Sequence, residues 1–277
     1  MKLFTKKLAF IGAGNMASAI IRGLVAQGMP APAMTATGID PDALRALSAE
    51  LGIHTGTDNA LAVQNADLIL LAVKPQQLRE VCMGLRGALA HKPLIISIAA
   101  GVAMASIEQW LGAELPMVRC MPNTPAQCLT GASGLIANAA CSSEQQALSE
   151  ELFSAIGLAQ WLDNEDQIHA VTALSGSGPA YFFYVIEAME AAAIKQGLSP
   201  DLARRFAAQT AKGAAEMVLS GSVAPGQLKR NVMSPGGTTE RAIRVLEDQG
   251  LAAMFEQAMQ AAAMRSGELA EALAKTQ

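Results

Sequence analysis

Two short stretches, far apart in this 277-residue chain, hold residue types suited to chemistry. The first is Ser234-Pro235-Gly236-Gly237-Thr238-Thr239, directly before a helix-forming segment, 240–247. A helix start there would present unpaired backbone N–H groups together with two threonine hydroxyls. Such a terminus holds a small anion, a carboxylate or a phosphate. The second stretch, Gly12-Ala13-Gly14-Asn15-Met16-Ala17, follows the apolar run 8–11. Gly12 permits a tight turn, Gly14 lets a pyrophosphate approach the backbone, and Ala17 lets strand and helix pack closely, as in a dinucleotide-binding turn. A dinucleotide site and an anion site in one chain imply a reductase acting on a small carboxylated molecule.

The elements needed to position these stretches are legible. Residues 8–11 read as a strand, and Ala17, Ile20, Ile21 and Leu24 recur at helical spacing behind it. Residues 33–37 read as a second strand, and Leu44, Leu47 and Leu51 stripe the next helix. The run 67–73 is apolar on both faces, as a central parallel strand is. Further strands are expected at 94–98, 117–120 and 134–137. This alternation predicts a parallel, doubly wound α/β sheet of Rossmann type over 1–163. Beyond 163 the strand signal stops, and 180–195, 201–219, 239–247 and 251–274 read as helices, so 164–277 is expected to be an all-α substrate-binding and dimerisation domain. Its apolar residues, Met254, Phe255, Met259 and Met264 among them, fit either a face packed on a second copy or burial within one monomer.

Three loops fall at predicted strand C-termini, where ligands bind in open α/β sheets: Lys74-Pro75, Ala99-Ala100-Gly101, and Met121-Pro122-Asn123-Thr124-Pro125. Each alone also reads as loop punctuation. The second strand ends Ala36-Thr37-Gly38-Ile39, without the acidic residue that would grip a ribose 2′-hydroxyl. Room there for a 2′-phosphate favours NADP(H), with NAD(H) still open because Asp40 would be the ribose ligand if the strand ran longer. The small residues of Ser175-Gly176-Ser177-Gly178 permit close backbone approach to a nicotinamide or to another helix.

Composition excludes other classes. A net charge of −4 lacks the basic stripe of a nucleic-acid binder. Four cysteines (82, 120, 128 and 141) show no paired or zinc-ligand spacing, and three scattered histidines give no metal motif. Lys2, Lys6 and Lys7 lead into a short strand rather than a targeting signal, and the uncharged stretch 120–143 carries Pro, Asn and Gln, unlike a membrane span. A soluble cytoplasmic protein is expected.

Taken in order, Ile11 to Met16, Ala72-Val73-Lys74-Pro75, the loop 121–125, Leu174-Ser175-Gly176-Ser177-Gly178-Pro179-Ala180-Tyr181 and the loop 234–239 resemble the pyrroline-5-carboxylate reductases over nearly the whole chain. The resemblance implies reduction of a cyclic imino acid to proline, the last step of proline biosynthesis. It implies a homodimer interlocked through the C-terminal helices, with decamers of such dimers occurring in the family. Implied cofactor contacts are Ile11, Gly12, Ala13, Gly14, Asn15, Met16, Thr37, Asn59, Ala72, Val73, Lys74, Pro75, Ala99, Ala100, Gly101 and Asn123. Implied substrate contacts are Asn231, Ser234, Gly236, Gly237, Thr238, Thr239 and Glu165. Thr239, and after it Thr238, is expected to hydrogen-bond the ring nitrogen. A 3-hydroxyacid dehydrogenase is the rival, but such enzymes carry a lysine one helical turn past a glycine-rich helix start. Here none follows Ser177-Gly178 until Lys195.

Overall fold

The computed structural model describes residues 2–275. By compactness the chain divides into Met1–Ser177 with Ala262–Gln277, and Gly178–Ala261. By this measure the division falls at Ser177, and the end of the last helix belongs with the first unit.

In the first unit the chain alternates strand and helix. β1 (Leu8–Ile11) leads to α1 (Asn15–Ala26), β2 (Met34–Thr37) to α2 (Pro41–Leu51), and β3 (His54–Gly56) to α3 (Asn59–Val63). β4 (Leu68–Leu71) leads to α4 (Pro75–Leu85), β5 (Leu94–Ser97) to α5 (Met104–Leu111), and β6 (Met117–Met121) to β7 (Gly131–Ala137). α6 (Ser143–Ser154), β8 (Gly157–Trp161) and α7 (Gln167–Val171) follow, and a π-helical turn, Thr172–Gly176, comes next. One sheet takes the order β3-β2-β1-β4-β5-β6-β7-β8.

The sheet is parallel from β3 through β6, but β7 pairs antiparallel with β6 and β8 runs parallel to β7. An all-parallel reading is therefore corrected at this edge. The connection from β6 to β7 holds one short 3₁₀ turn, Thr124–Cys128, which is too little chain for a crossover helix and forces a hairpin-like return. β3 and β8 were not foreseen. β3 is three residues long and only partly buried, and β8 buries only Ala159, so neither writes an apolar run into the sequence.

The central strands alternate faces as doubly covered parallel strands must. Leu8, Phe10, Leu68, Leu70, Leu94 and Ile96 join one core with α1 and α6, and Ala9, Ile11, Ile69, Leu71 and Ile95 join the other with α4 and α5. Each fully buried Leu or Ile contributes about 1.5–3 kcal/mol of transfer free energy. The sheet therefore holds its carboxyl-edge loops on a rigid base.

The second unit contains α8 (Gly178–Lys195), α9 (Pro200–Ser220), α10 (Pro225–Asn231), α11 (Thr238–Asp248) and the first part of α12 (Leu251–Lys275). α10 is an addition to the expected helices. Among its described residues only Gly178, Ala203 and Ala207 are buried. Large apolar side chains lie open instead: Phe182 is 66% exposed, Tyr184 73% and Leu219 77%. Among the described residues no helix is long and apolar enough to cross a membrane.

Candidate functional site

In the first unit, the turn after β1 fits a dinucleotide pyrophosphate. Gly12 takes φ +102°, and a Cβ there would lie 2.8 Å from the Ala72 carbonyl carbon and oxygen, so only glycine lets the β1 and β4 ends approach this closely. Gly14 is the N-cap of α1, with no side chain capping the helix and nothing within 4 Å of where its Cβ would stand. The first N–H groups of α1 thus open onto free space, an anion cradle.

A cavity of about 840 Å³ lies over this edge, bordered by Gly12, Ala13, Gly14, Thr37, Asn59, Ala72, Val73 and Lys74. Those eight expected cofactor residues are brought together. Thr37 is fully buried and donates to Asn59 Oδ1 at 2.6 Å, so the pair is fixed before any ligand arrives. β2 ends at Thr37, and Asp40 caps α2, accepting from the N–H groups of Asp42 (2.9 Å) and Ala43 (3.1 Å). β2 does not run on to Asp40, although Asp40 still lines the cavity.

The remaining expectations scatter. Ile11 is core beneath the turn, and Asn15 and Met16 lie in the first turn of α1 outside the cavity lining. Pro75 is the first residue of α4. Ala99 is buried, Ala100 exposed, and Gly101, at φ +73°, faces Leu269 and Leu273 of α12. Asn123 spends both ends of its amide on the scaffold, donating to the Ser175 carbonyl at 3.0 Å and accepting from Ala132 N–H at 2.9 Å. Glu165 uses one oxygen: its Oε1 accepts from Arg119 at 2.7 Å and from Met104 N–H at 2.9 Å. Asn123 is thereby tied to the scaffold through its whole amide, and Glu165 is anchored through one carboxylate oxygen. The Ser175–Gly178 stretch holds the C-terminal part of the π turn and the start of α8.

Sequence reasoning missed Thr57, Gln77, Glu80, Val81 and Gly84, which also line the cavity. A signal existed for the last four, since 77, 80, 81 and 84 share one face of a helix beginning at Pro75. Thr57 follows β3, which sequence reasoning had not placed.

In the second unit, the loop after α10 builds the other expected site. Gly236 takes φ +70°, and Gly237 donates to the Ser234 carbonyl at 2.9 Å, closing a tight turn. α11 starts at Thr238 with Gly237 as N-cap, so no side chain caps it. Thr238 is exposed and Thr239 half-buried. Glu240 turns back to accept Gly236 N–H at 2.5 Å and pairs with Arg244 at 2.5 Å. The Gly236 hydrogen bond first, and Arg244 second, hold its carboxyl below the usual range. Asn231 ends α10 and accepts from Gln227 at 2.7 Å.

The thiols offer no nucleophile in the core. Burial raises Cys82 to about 12 and Cys141 to about 11, and pushes Cys120 up as well.

A doubly wound sheet, a glycine turn opening on a cavity at its carboxyl edge, and a separate helical unit with an uncapped helix start define a dinucleotide-dependent oxidoreductase. Comparison with known proteins narrows that class. Residues 165–269 match a family described as pyrroline-5-carboxylate reductase dimerisation, and 7–101 one described as NADP oxidoreductase, coenzyme F420-dependent. A pyrroline-5-carboxylate reductase of Pseudomonas aeruginosa is 52% identical over 269 residues, covering 97% of this chain and 98% of the relative. The solved pyrroline-5-carboxylate reductase of Coxiella burnetii matches with a TM-score of 0.92 at 44% identity, over 96% of this chain and 98% of that one. The Plasmodium falciparum pyrroline carboxylate reductase, solved with NADP bound, matches with a TM-score of 0.85 at 29% identity, over 96% and 98% of the two chains. The chain belongs to the pyrroline-5-carboxylate reductase family.

Proposed function

We propose that this chain reduces 1-pyrroline-5-carboxylate to L-proline with NADPH, the last step of proline biosynthesis. Relatives of this name at 39–52% identity, matched over nearly their full length, support the activity. An NADP oxidoreductase family over residues 7–101 and the NADP-bound relative support the cofactor. The single observation that carries the substrate reading is the uncapped start of α11 behind the Ser234–Gly237 turn.

When bound, a reduced nicotinamide supplies the hydride that adds to the C=N carbon. The residues around the cavity hold the dinucleotide: the α1 start takes the pyrophosphate, and the small residues Thr37 and Gly38 at the end of β2 leave room for a 2′-phosphate, with Asp40 also in the cavity lining. The N–H groups of Thr238 and Thr239 hold the substrate carboxylate. The Thr239 hydroxyl, with Thr238 second, hydrogen-bonds the ring nitrogen, which takes one proton from solvent to form the iminium; hydride addition to the carbon then leaves the neutral amine. A protonated imine is already a strong electrophile, so orientation counts for more than a strong base. The wide apolar exposure of α8 and α9 supports a homodimer through the helical unit, and dimers of this kind would stack into larger rings such as decamers. We place the protein in the cytoplasm, where its substrate and NADPH would be available.

The test is NADPH oxidation by the purified chain with pyrroline-5-carboxylate, repeated with NADH and with a 3-hydroxyacid plus NADP. Loss of reduced cofactor with the imine alone, faster with NADPH, is the expected result. No turnover with either cofactor would remove the assignment.

A further inference from the structure

α7 passes directly into the π-helical turn Thr172–Gly176, in which Ser177 N–H donates to the Thr172 carbonyl, five residues back, at 2.8 Å. An α-helical pattern would pair the Ser175 carbonyl with the N–H of residue 179. That residue is Pro179, which has no N–H and whose ring crowds the carbonyl four positions earlier. A π turn ahead of the proline widens the backbone there and leaves carbonyls in need of other donors. Two are met locally. The Thr172 hydroxyl donates to the Ile168 carbonyl at 2.7 Å, and the Ser175 hydroxyl to the Val171 carbonyl at 3.0 Å. The Ser175 carbonyl is met from the sheet, by Asn123 Nδ2 at 3.0 Å.

Asn123 is held for that contact. It lies in the loop after β6 and is only 8% exposed. Its Oδ1 accepts Ala132 N–H of β7 at 2.9 Å, and its own carbonyl accepts Ala126 N–H at 3.1 Å. Two close approaches join the same strands to the same turn. The Met121 methyl stands 2.6 Å from where a Gly176 Cβ would be, and Val171 Cγ1 stands 2.9 Å from where a Gly134 Cβ would be. The missing side chains let the β6–β7 edge and the turn meet at backbone level.

We propose that Asn123 is a positioning residue: it supplies the hydrogen bond that Pro179 removes and so ties the carboxyl-edge loop of β6 to the π turn. This rests on the reductase reading above. A dinucleotide spans the point where strand order reverses, here between β1 and β4. Its adenosine half lies on the β1–β2 side and its nicotinamide half on the β4–β6 side. The loop after β6 therefore stands at the reacting end, and its placement bears on hydride-transfer geometry more than on holding the pyrophosphate.

The experiment compares Asn123→Ala, Pro179→Ala and the double variant in the full chain. Thermal melts, kcat with pyrroline-5-carboxylate and NADPH Kd by direct titration are read for each. Asn123→Ala leaves the Ser175 carbonyl without this donor, so Tm should fall by about 3–6 °C. Its kcat should fall about ten- to a hundred-fold, the scale of a small misplacement at a reacting centre, with NADPH Kd little changed. In the double variant residue 179 regains an N–H for the Ser175 carbonyl, so Tm returns towards the parent value. Its kcat stays low, because a bond within the helix does not reconnect the β6 loop. Should Asn123→Ala fail to fold, the double variant carries the kcat reading. Recovery of kcat together with Tm would reduce Asn123 to support of the fold and overturn the inference, as would parental kcat in Asn123→Ala. A raised NADPH Kd with kcat preserved would make Asn123 a cofactor contact and overturn it too. Absence of turnover in the parent enzyme overturns the reductase reading, and this inference with it.

Discussion

Oε1 of Glu165 lies 2.7 Å from the guanidinium of Arg119 and 2.9 Å from the N–H of Met104, so one oxygen joins β6, the start of α5 and the approach to α7. Arg119 is only 4% exposed, whereas Glu165 retains some contact with water. Removing the carboxylate therefore strands a buried cation. Glu165→Ala is expected to cost about 3 kcal/mol, the low end for breaking a buried pair, and Glu165→Gln less, because the amide oxygen still accepts Met104 N–H. Urea unfolding checks both. If Glu165 instead touched substrate, KM would move while stability held.

Gly12 is the least replaceable residue of the cofactor turn. At φ +102°, with backbone of Ala72 2.8 Å from any Cβ, Gly12→Ala combines strain with a backbone clash. The expected loss is about 2–3 kcal/mol of stability. NADPH binding should weaken too, because the β1 and β4 ends must separate. Gly14→Ala meets open space and should spare stability while blocking the approach of the pyrophosphate. Thermal melts run beside NADPH titrations would separate the two effects.

Thr239→Ala should lower kcat about 100-fold, the common consequence of removing one preorganised donor from a reacting centre, with NADPH affinity intact. Thr238→Ala should do less, since its side chain is more exposed. Steady-state kinetics that stay the same in both single variants and in the double variant would remove the threonines from the chemistry.

Asp40 is a helix cap, accepting two N–H groups at the start of α2. Asp40→Ala should cost about 1 kcal/mol of stability and leave the ratio of NADPH to NADH efficiency where it was. A marked loss of NADH use in this variant would restore Asp40 as a ribose ligand.

Much of the site was legible because its chemistry is backbone chemistry. Glycines at 12 and 236 take positive φ, +102° and +70°, and announce turns that depend on local sequence. Side-chain partners over long separations left no such trace. Asn123 and Glu165 are polar residues beside motifs, and each also has a distant protein partner: Ser175 is 52 positions from the first and Arg119 46 from the second. Nothing in the local pattern says that these atoms find each other. The face of α4 that lines the cavity, carrying Gln77, Glu80, Val81 and Gly84, was readable from helical spacing but acquires meaning only when α4 is seen beside the glycine turn.

By itself the sequence determined the alternation of strand and helix, the glycine turn after β1, the helical second half and the uncapped start of α11. These rest on hydrophobic periodicity and on the conformational freedom of glycine, which act over a few residues. Only the tertiary structure decided that β7 and β8 reverse, that Asp40 caps a helix, that the end of α12 returns to the sheet-bearing unit, and that Glu240 binds both the Gly236 N–H and Arg244. Those outcomes depend on which polar group finds its partner first among several within reach. Hydrogen-bond pairing at exposed turns and the packing of distant segments settle those choices, and composition and spacing carry no record of them.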